Sequence, residues 1–177
     1  MSKMITIKSY QSPFGEIILG SYKEQLCLCD WKYRKMRTSI DSRIKKSLKS
    51  EFQPGDSQTI NTATLQLDEY FQNKRVSFDL PLKMIGTDFQ IDIWKKLMEI
   101  PYGETISYLE LAEKAKNPKA IRAIASANGA NSIALIIPCH RIIGSDGSMV
   151  GYAGGLKVKK ELLKLEGVNF DHQMSLF

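Results

Sequence analysis

Between Thr87 and Gly129 the chain is punctuated too often for a long helix or a broad sheet. Pro101-Tyr102-Gly103 and Lys116-Asn117-Pro118 interrupt helical patterns, and Asn128-Gly129 closes the last of them. Proline lacks the amide proton a helix needs, and glycine or asparagine readily adopts the left-handed conformation that ends one. Only short helices fit. Thr87-Asp88-Phe89-Gln90 fits a capping box, with Ile91, Trp94, Leu97 and Met98 on one helical face behind it. Ser107-Tyr108-Leu109-Glu110 is a second capping box and opens a helix to about Lys116. Asn117 is expected to cap a third, with Pro118 at its first position and Ile121, Ile124 and Ala125 turned inward. Two short helices joined by a tight turn outline a helix-turn-helix. A last helix, Leu156 to Glu166, stops at Gly167.

Residues 1–86 follow a different pattern and read as a small α/β unit, with 87–177 as the second domain. Ile17-Ile18-Leu19 and Leu26 to Trp31 are strand candidates joined by the polar turn Tyr22-Lys23-Glu24-Gln25. Pleat alternation sets Leu26 and Leu28 on one face and Cys27, Cys29 and Trp31 on the other. Ile40, Ile44 and Leu48 recur at helical spacing, with Arg43, Lys45, Lys46 and Lys49 between them. Asp56-Ser57-Gln58-Thr59 leads into a helical pattern through Leu65, Leu67, Tyr70 and Phe71. Val76, Phe78 and Leu80 alternate as a strand before Pro81.

The longest apolar runs, such as Ile133 to Pro138, are too short for a membrane span of roughly 18 residues. The N-terminal MSKMITIKSYQ has no apolar signal core, so a cytoplasmic protein is expected. Three cysteines and two histidines (His140, His172) are too few for a disulfide framework. Cys27 and Cys29 supply half of a closed zinc site and read as buried thiols; no metal or cofactor is expected. The net charge of +6 invites nucleic acid as a partner. Its distribution weakens that argument, because residues 1–86 carry +5 and residues 87–177 only +1. Eight of the basic residues lie between Trp31 and Ser50, facing the single acid Asp41.

The reactive chemistry concentrates in Ile137-Pro138-Cys139-His140-Arg141-Ile142. Thiolate is the reactive form of cysteine and needs a base or a positive neighbour to form at neutral pH, which His140 or Arg141 can supply. Taken alone, Cys139 reads as readily as an inert buried thiol.

Its surroundings change that reading. Pro138-Cys139-His140-Arg141, with Asn131 before it and Gly154-Gly155-Leu156 and Leu162 to Gly167 after it, resembles the O6-alkylguanine-DNA alkyltransferases. Phe89-Gln90 to Trp94, Ile100-Pro101-Tyr102-Gly103, Thr105, Ser107-Tyr108 and Arg122-Ala123 match that family in order and spacing. The close resemblance covers about residues 87–167; the first 86 residues are similar only loosely. It implies an α/β N-terminal subdomain (a small ribonuclease H-like sheet with helices) and a mostly α, winged-helix-like C-terminal domain containing the helix-turn-helix.

The resemblance also implies a reaction, that of a methylated-DNA–protein-cysteine S-methyltransferase. An alkylated guanine, and by extension O4-alkylthymine, is flipped out of duplex DNA into the protein. Cys139 takes the alkyl group irreversibly, His140 acts as its base through a water, Glu166 orients His140, and Asn131 braces the loop before Cys139. The partner is double-stranded DNA carrying O6-alkylguanine, bound by a monomer from the minor groove, with no cofactor and no membrane; cooperative loading is left open. Arg122 matches the residue that fills the stack, and Ala120, Ala123 and Ala125 form the small-residue face that approaches the groove. Tyr108, Ile142, Tyr152 and Ala153 fall at the substrate pocket. Ala153, Ala134 and Asn128 depart from common family residues (serine, proline, and apolar or basic side chains), which bears on the alkyl groups accepted rather than on the reaction. A thiol hydrolase would need an oxyanion site that no motif announces. A lesion binder would lack Cys139, and a sequence-specific regulator would need base-edge readers where the second helix offers alanine and isoleucine.

Overall fold

The computed structural model describes residues 3–169, so His172 lies outside the described residues. The chain divides into two compact units. The first holds residues up to Thr87 together with Ser132–Ile136, and the second holds Asp88–Asn131 and the chain from Ile137 onward. A boundary drawn once at 86/87 therefore misses the return of residues 132–136 to the first unit.

In the first unit, β1 (Ile5–Ser12), β2 (Gly15–Tyr22) and β3 (Gln25–Trp31) form an antiparallel meander, and β4 (Phe52–Pro54) adds in parallel to β1. The sheet order is β3-β2-β1-β4. β1 was not among the expected strands, although the β-branched run Ile5-Thr6-Ile7 is the signal for it. The β2–β3 turn holds Lys23 and Glu24 at φ 48° and 63°, the left-handed pair that matches strand twist in a two-residue hairpin. Leu26, Cys27, Leu28, Cys29 and Trp31 are all buried, so alternation along β3 does not separate an inner from an outer face. The reason is pairing on both sides of β3. Beyond β2, its other edge receives Leu82 opposite Leu26 and Ile133 opposite Cys29.

Helices α1 (Arg37–Leu48) and α2 (Gln58–Phe71) complete this unit. Ile40 and Ile44 of α1 pack with Ile5, Cys27, Leu28 and Ile85. Ser57 caps α2 by accepting from Ile60 N at 3.1 Å, while Leu65 lies on its exposed side. The strand expected through Val76, Phe78 and Leu80 does not form. Both amide groups of the Gln66 side chain bond the backbone of Asp79 at 2.9 Å, taking the place of a strand partner, and Val76 faces solvent. Part of the basic stretch is also used internally, because Arg34 and Arg37 both pair with the buried carboxylate of Asp30, at 3.0 and 2.9 Å.

The second unit is mostly helical: α3 (Asp88–Leu97), β5 (Ile106–Ser107), α4 (Tyr108–Lys114), α5 (Ile121–Gly129), a 3-10 turn (Cys139–Arg141), β6 (Ile142–Ile143) and α6 (Leu156–Leu165). The Ser107 capping box forms in both halves: Glu110 N donates to Ser107 Oγ at 3.0 Å, and Ser107 N donates to Glu110 Oε2 at 2.7 Å. α3 buries Ile93, Trp94 and Leu97, with Met98 exposed and Ile91 half-buried. Asn117 does not cap α5. Ala120 N donates to Asn117 O at 3.0 Å, so Asn117 to Ala120 form a turn and the helix begins after Ala120. The delay rotates α5, burying Ile124, Ala127 and Asn128 and leaving Ile121 exposed and Ala125 half-buried. Among the described residues, no helix is long and apolar enough to cross a membrane.

Trp94 fastens α3 to α5 by donating from Nε1 to Ala127 O at 2.8 Å in a buried position. Trp94→Phe keeps an apolar ring but removes the donor, and should cost about 1–3 kcal/mol in urea unfolding.

Candidate active site

The site is built around a buried carboxylate. Glu166, just past the C-terminal end of α6, accepts from His140 Nε2 at 2.7 Å and from Arg141 Nε and a terminal guanidinium nitrogen at 2.9 and 3.0 Å. Gly103 N also donates to Oε2, at 3.3 Å. Burial alone would raise the Glu166 pKa, but the His140 hydrogen bond and the Arg141 charge overcome it and hold the carboxyl at about 2. His140 is wholly enclosed, and burial depresses its affinity for a proton against the pull of Glu166. A carboxylate acceptor at Nε2 places the proton of the neutral imidazole there. Among the described residues, Nδ1 has no hydrogen-bonding partner, which leaves it as the basic nitrogen.

Cys139 begins the 3-10 turn that carries His140 and Arg141, and is 4% exposed. Asn131 braces the approach by donating from Nδ2 to Ile137 O at 2.9 Å, across the excursion of residues 132–136. That excursion is held: Cys29 N donates to Ser132 O at 2.9 Å, and Ala134 N donates to Cys29 O at 2.6 Å. A proline at 134 would lack this second donor. Alanine here permits a ladder bond rather than loosening the segment.

β6 follows the turn and pairs in parallel with β5, aligning Ile106 with Ile142 and Ser107 with Ile143. This pairing carries the start of α4 to the site. Tyr108 is half-buried, and burial first and the Cys139 thiolate second keep its hydroxyl protonated. Asn128 Nδ2 reaches the phenol oxygen at 3.5 Å. Tyr152 stands edge-on to His140, with ring centroids 6.4 Å apart, and Ala153 beside it is half-buried. Ile142 is wholly buried, so its side chain belongs to the core. On α5, Arg122 and Ala123 are exposed and Ala120 and Ala125 half-buried.

Two contributions escaped the sequence reading. Pro101-Tyr102-Gly103 was read as a helix break, yet it forms one wall of the carboxylate site. Ile100 O accepts from Arg141 at 2.6 Å, and the Tyr102 ring lies 5.8 Å from the Arg141 guanidinium. Gly103 has φ +80°, and a Cβ there would meet Glu166 O at 2.9 Å, so glycine is required. The second is Lys159, a buried cation in α6. Cys27 and Cys29 lie elsewhere, buried in β3, and burial pushes the Cys27 thiol up to about 12. Among the described residues, no group of three or more His, Cys, Asp or Glu side chains is placed to hold a metal ion.

The depressed Glu166 pKa is also a stability statement. Its contribution is present above the ordinary value of 4.5 and is lost as pH falls from there toward about 2. We predict a loss of about 3 kcal/mol across that window in urea unfolding. In Glu166→Gln this acid-dependent loss should be largely absent, and the variant should be less stable than the parent at pH 7.

Two family models match the chain. One, described as 6-O-methylguanine DNA methyltransferase, ribonuclease-like domain, matches residues 5–84. The other, 6-O-methylguanine DNA methyltransferase, DNA binding domain, matches residues 88–168. A methylated-DNA–protein-cysteine methyltransferase of Methanosarcina barkeri is 45% identical over 90% of this chain and 95% of its own. The protein of the same name from Mycobacterium tuberculosis is 39% identical over 98% and 99%. The solved structure of Mycobacterium tuberculosis OGT in complex with DNA superposes with a TM-score of 0.79 at 38% identity, covering 91% of this chain and 92% of that one. With both halves matched by its models and near-full-length relatives at this identity, the chain belongs to the 6-O-methylguanine DNA methyltransferase family.

Proposed function

We propose that the protein repairs alkylated DNA by direct reversal, moving the alkyl group of O6-alkylguanine onto its own Cys139. The observation that carries this reading is the buried Glu166–His140 pair beside Cys139, with Nδ1 of a neutral His140 available as a base. His140 takes the thiol proton through a water, and Glu166 stabilises the imidazolium that forms. The thiolate attacks the alkyl carbon. The sulfur–carbon bond forms as the carbon–O6 bond breaks, the electron pair stays on the base, and protonation at N1 restores guanine. Tyr108, kept as a phenol, donates toward the ring as charge develops there. The same displacement serves O4-alkylthymine. It is redox-neutral and needs no cofactor.

Duplex DNA is the partner, bound by a monomer. The Mycobacterium tuberculosis structure with DNA supports this, as does the small exposed face of α5. Ala120, Ala123 and Ala125 allow the helix close to the minor groove, and Arg122 enters the stack in place of the flipped base. Tyr108, Tyr152 and Ala153 line the pocket, with Ile142 behind it. Asn131 keeps the cysteine loop in register. Cys27, Cys29 and Cys139 all carry thiols rather than disulfides, which suits a reaction that consumes a thiol in the cytoplasm.

Water does not displace a thioether under mild conditions, so each molecule acts once. Excess duplex containing radiolabelled O6-methylguanine should transfer at most one equivalent per protein, and sustained turnover would contradict the proposal. Arg122→Ala should slow repair of duplex by tenfold or more, on the order of a lost stack-filling contact, while reaction with free O6-benzylguanine changes little. Equal losses on both substrates would remove the flipping role.

A further inference from the structure

Lys159 is wholly buried on α6, and among the described residues no carboxylate pairs with it. Its ammonium donates instead to three carbonyls: Ile142 O at the start of β6, Val150 O at 2.9 Å and Gly151 O at 3.2 Å. Carbonyl dipoles satisfy the donors but leave the positive charge without a neutralising partner. Burial accordingly lowers its pKa to about 8, and the Cys139 thiolate acts against that fall. The two groups are therefore within electrostatic reach. Interaction between titrating groups is reciprocal, so a thiolate that holds a proton on Lys159 is itself favoured by the charged lysine. The other charged or titratable groups around this pair are Tyr108 from α4, His140 and Arg141 from the 3-10 turn, and Glu166 at the end of α6. The positive charge of Arg141 is taken up by Glu166, which leaves Lys159 as the cation lacking a carboxylate.

We propose that Lys159 is a positioning residue for alkyl transfer: its ammonium, fixed by three backbone carbonyls, favours Cys139 as thiolate and ties the Val150–Gly151 segment to β6. The three carbonyls are what make this geometry more than a chance burial. They orient the lysine head from two chain segments, one leaving the cysteine turn and the other leading to Tyr152. Lys159 neither touches the alkyl carbon nor accepts the thiol proton. It acts through Cys139, and the inference rests on Cys139 being the nucleophile.

The test reads the pair without any alkyl donor. In protein with 13C-labelled lysine side chains, the Lys159 resonance is assigned by its loss in Lys159→Arg and titrated from pH 6 to 11. Its midpoint should fall by about half a unit or more when the thiolate is removed in Cys139→Ser; an unchanged midpoint overturns the proposal. Alkyl transfer from O6-methylguanine duplex then supplies the kinetic arm. Lys159→Met should move the rate–pH profile upward by about one unit and slow transfer at pH 7 about tenfold, while Lys159→Arg keeps most of the parent profile. A uniform loss at every pH would leave Lys159 a purely structural role and overturn the electrostatic one. Should Lys159→Met fail to fold, the lysine titration still decides. A failure of Cys139 to accept an alkyl group would be a separate result, read from transfer by the parent protein.

Discussion

The helical unit is organised by the cost of burying Glu166. An enclosed carboxylate without partners would take up a proton or draw the surrounding chain open. Here His140, Arg141 and Gly103 all donate to it, so the last residue before Gly167, the cysteine turn and the Pro101–Gly103 turn must meet at one point. Arg141 supplies the compensating charge. That leaves His140 neutral, because a charged arginine already balances the carboxylate and burial disfavours a second cation. A base results where a simple ion pair would have given an imidazolium unable to accept a proton.

The same economy sets the positions around Cys139. The 3-10 turn places three functional side chains in succession, Asn131 fixes its entry, and the β5–β6 pair fixes its exit beside the capping box of α4. Tyr108 reaches the thiol because it immediately follows Ser107, whose backbone is locked twice, by the ladder with Ile143 and by Glu110. Rigid local hydrogen bonding therefore does the work that a large hydrophobic core would do elsewhere. The helix-turn-helix then carries Arg122 on an exposed face.

Much of this was legible in the sequence where the signal was local. The Ser107 capping box, the helices around Ile40 and Tyr70, the Lys23-Glu24 hairpin and the stop at Gly167 all depend on neighbouring residues. What failed was non-local. The alternation at Val76–Leu80 looks like a strand until the Gln66 side chain takes its partner's place. Asn117-Pro118 has cap-like composition, yet its turn bond to Ala120 delays α5 and turns Ile121 outward. Pro101-Tyr102-Gly103 and Lys159 carry no chemical motif of their own. Their roles appear only once Arg141, Glu166 and three distant carbonyls are in place. The net charge was equally misleading in detail, since Arg34 and Arg37 serve Asp30 within the fold.

The central claim is that the Glu166-organised site makes Cys139 the acceptor of the alkyl group. It is tested most directly by intact-mass and peptide-mapping spectrometry after mixing with duplex containing O6-methylguanine. The account predicts a gain of one methyl group, carried on the peptide containing Cys139 and absent in Cys139→Ser. A methyl group on Cys27, Cys29 or any other residue, or restored guanine with no gain in protein mass, would contradict it.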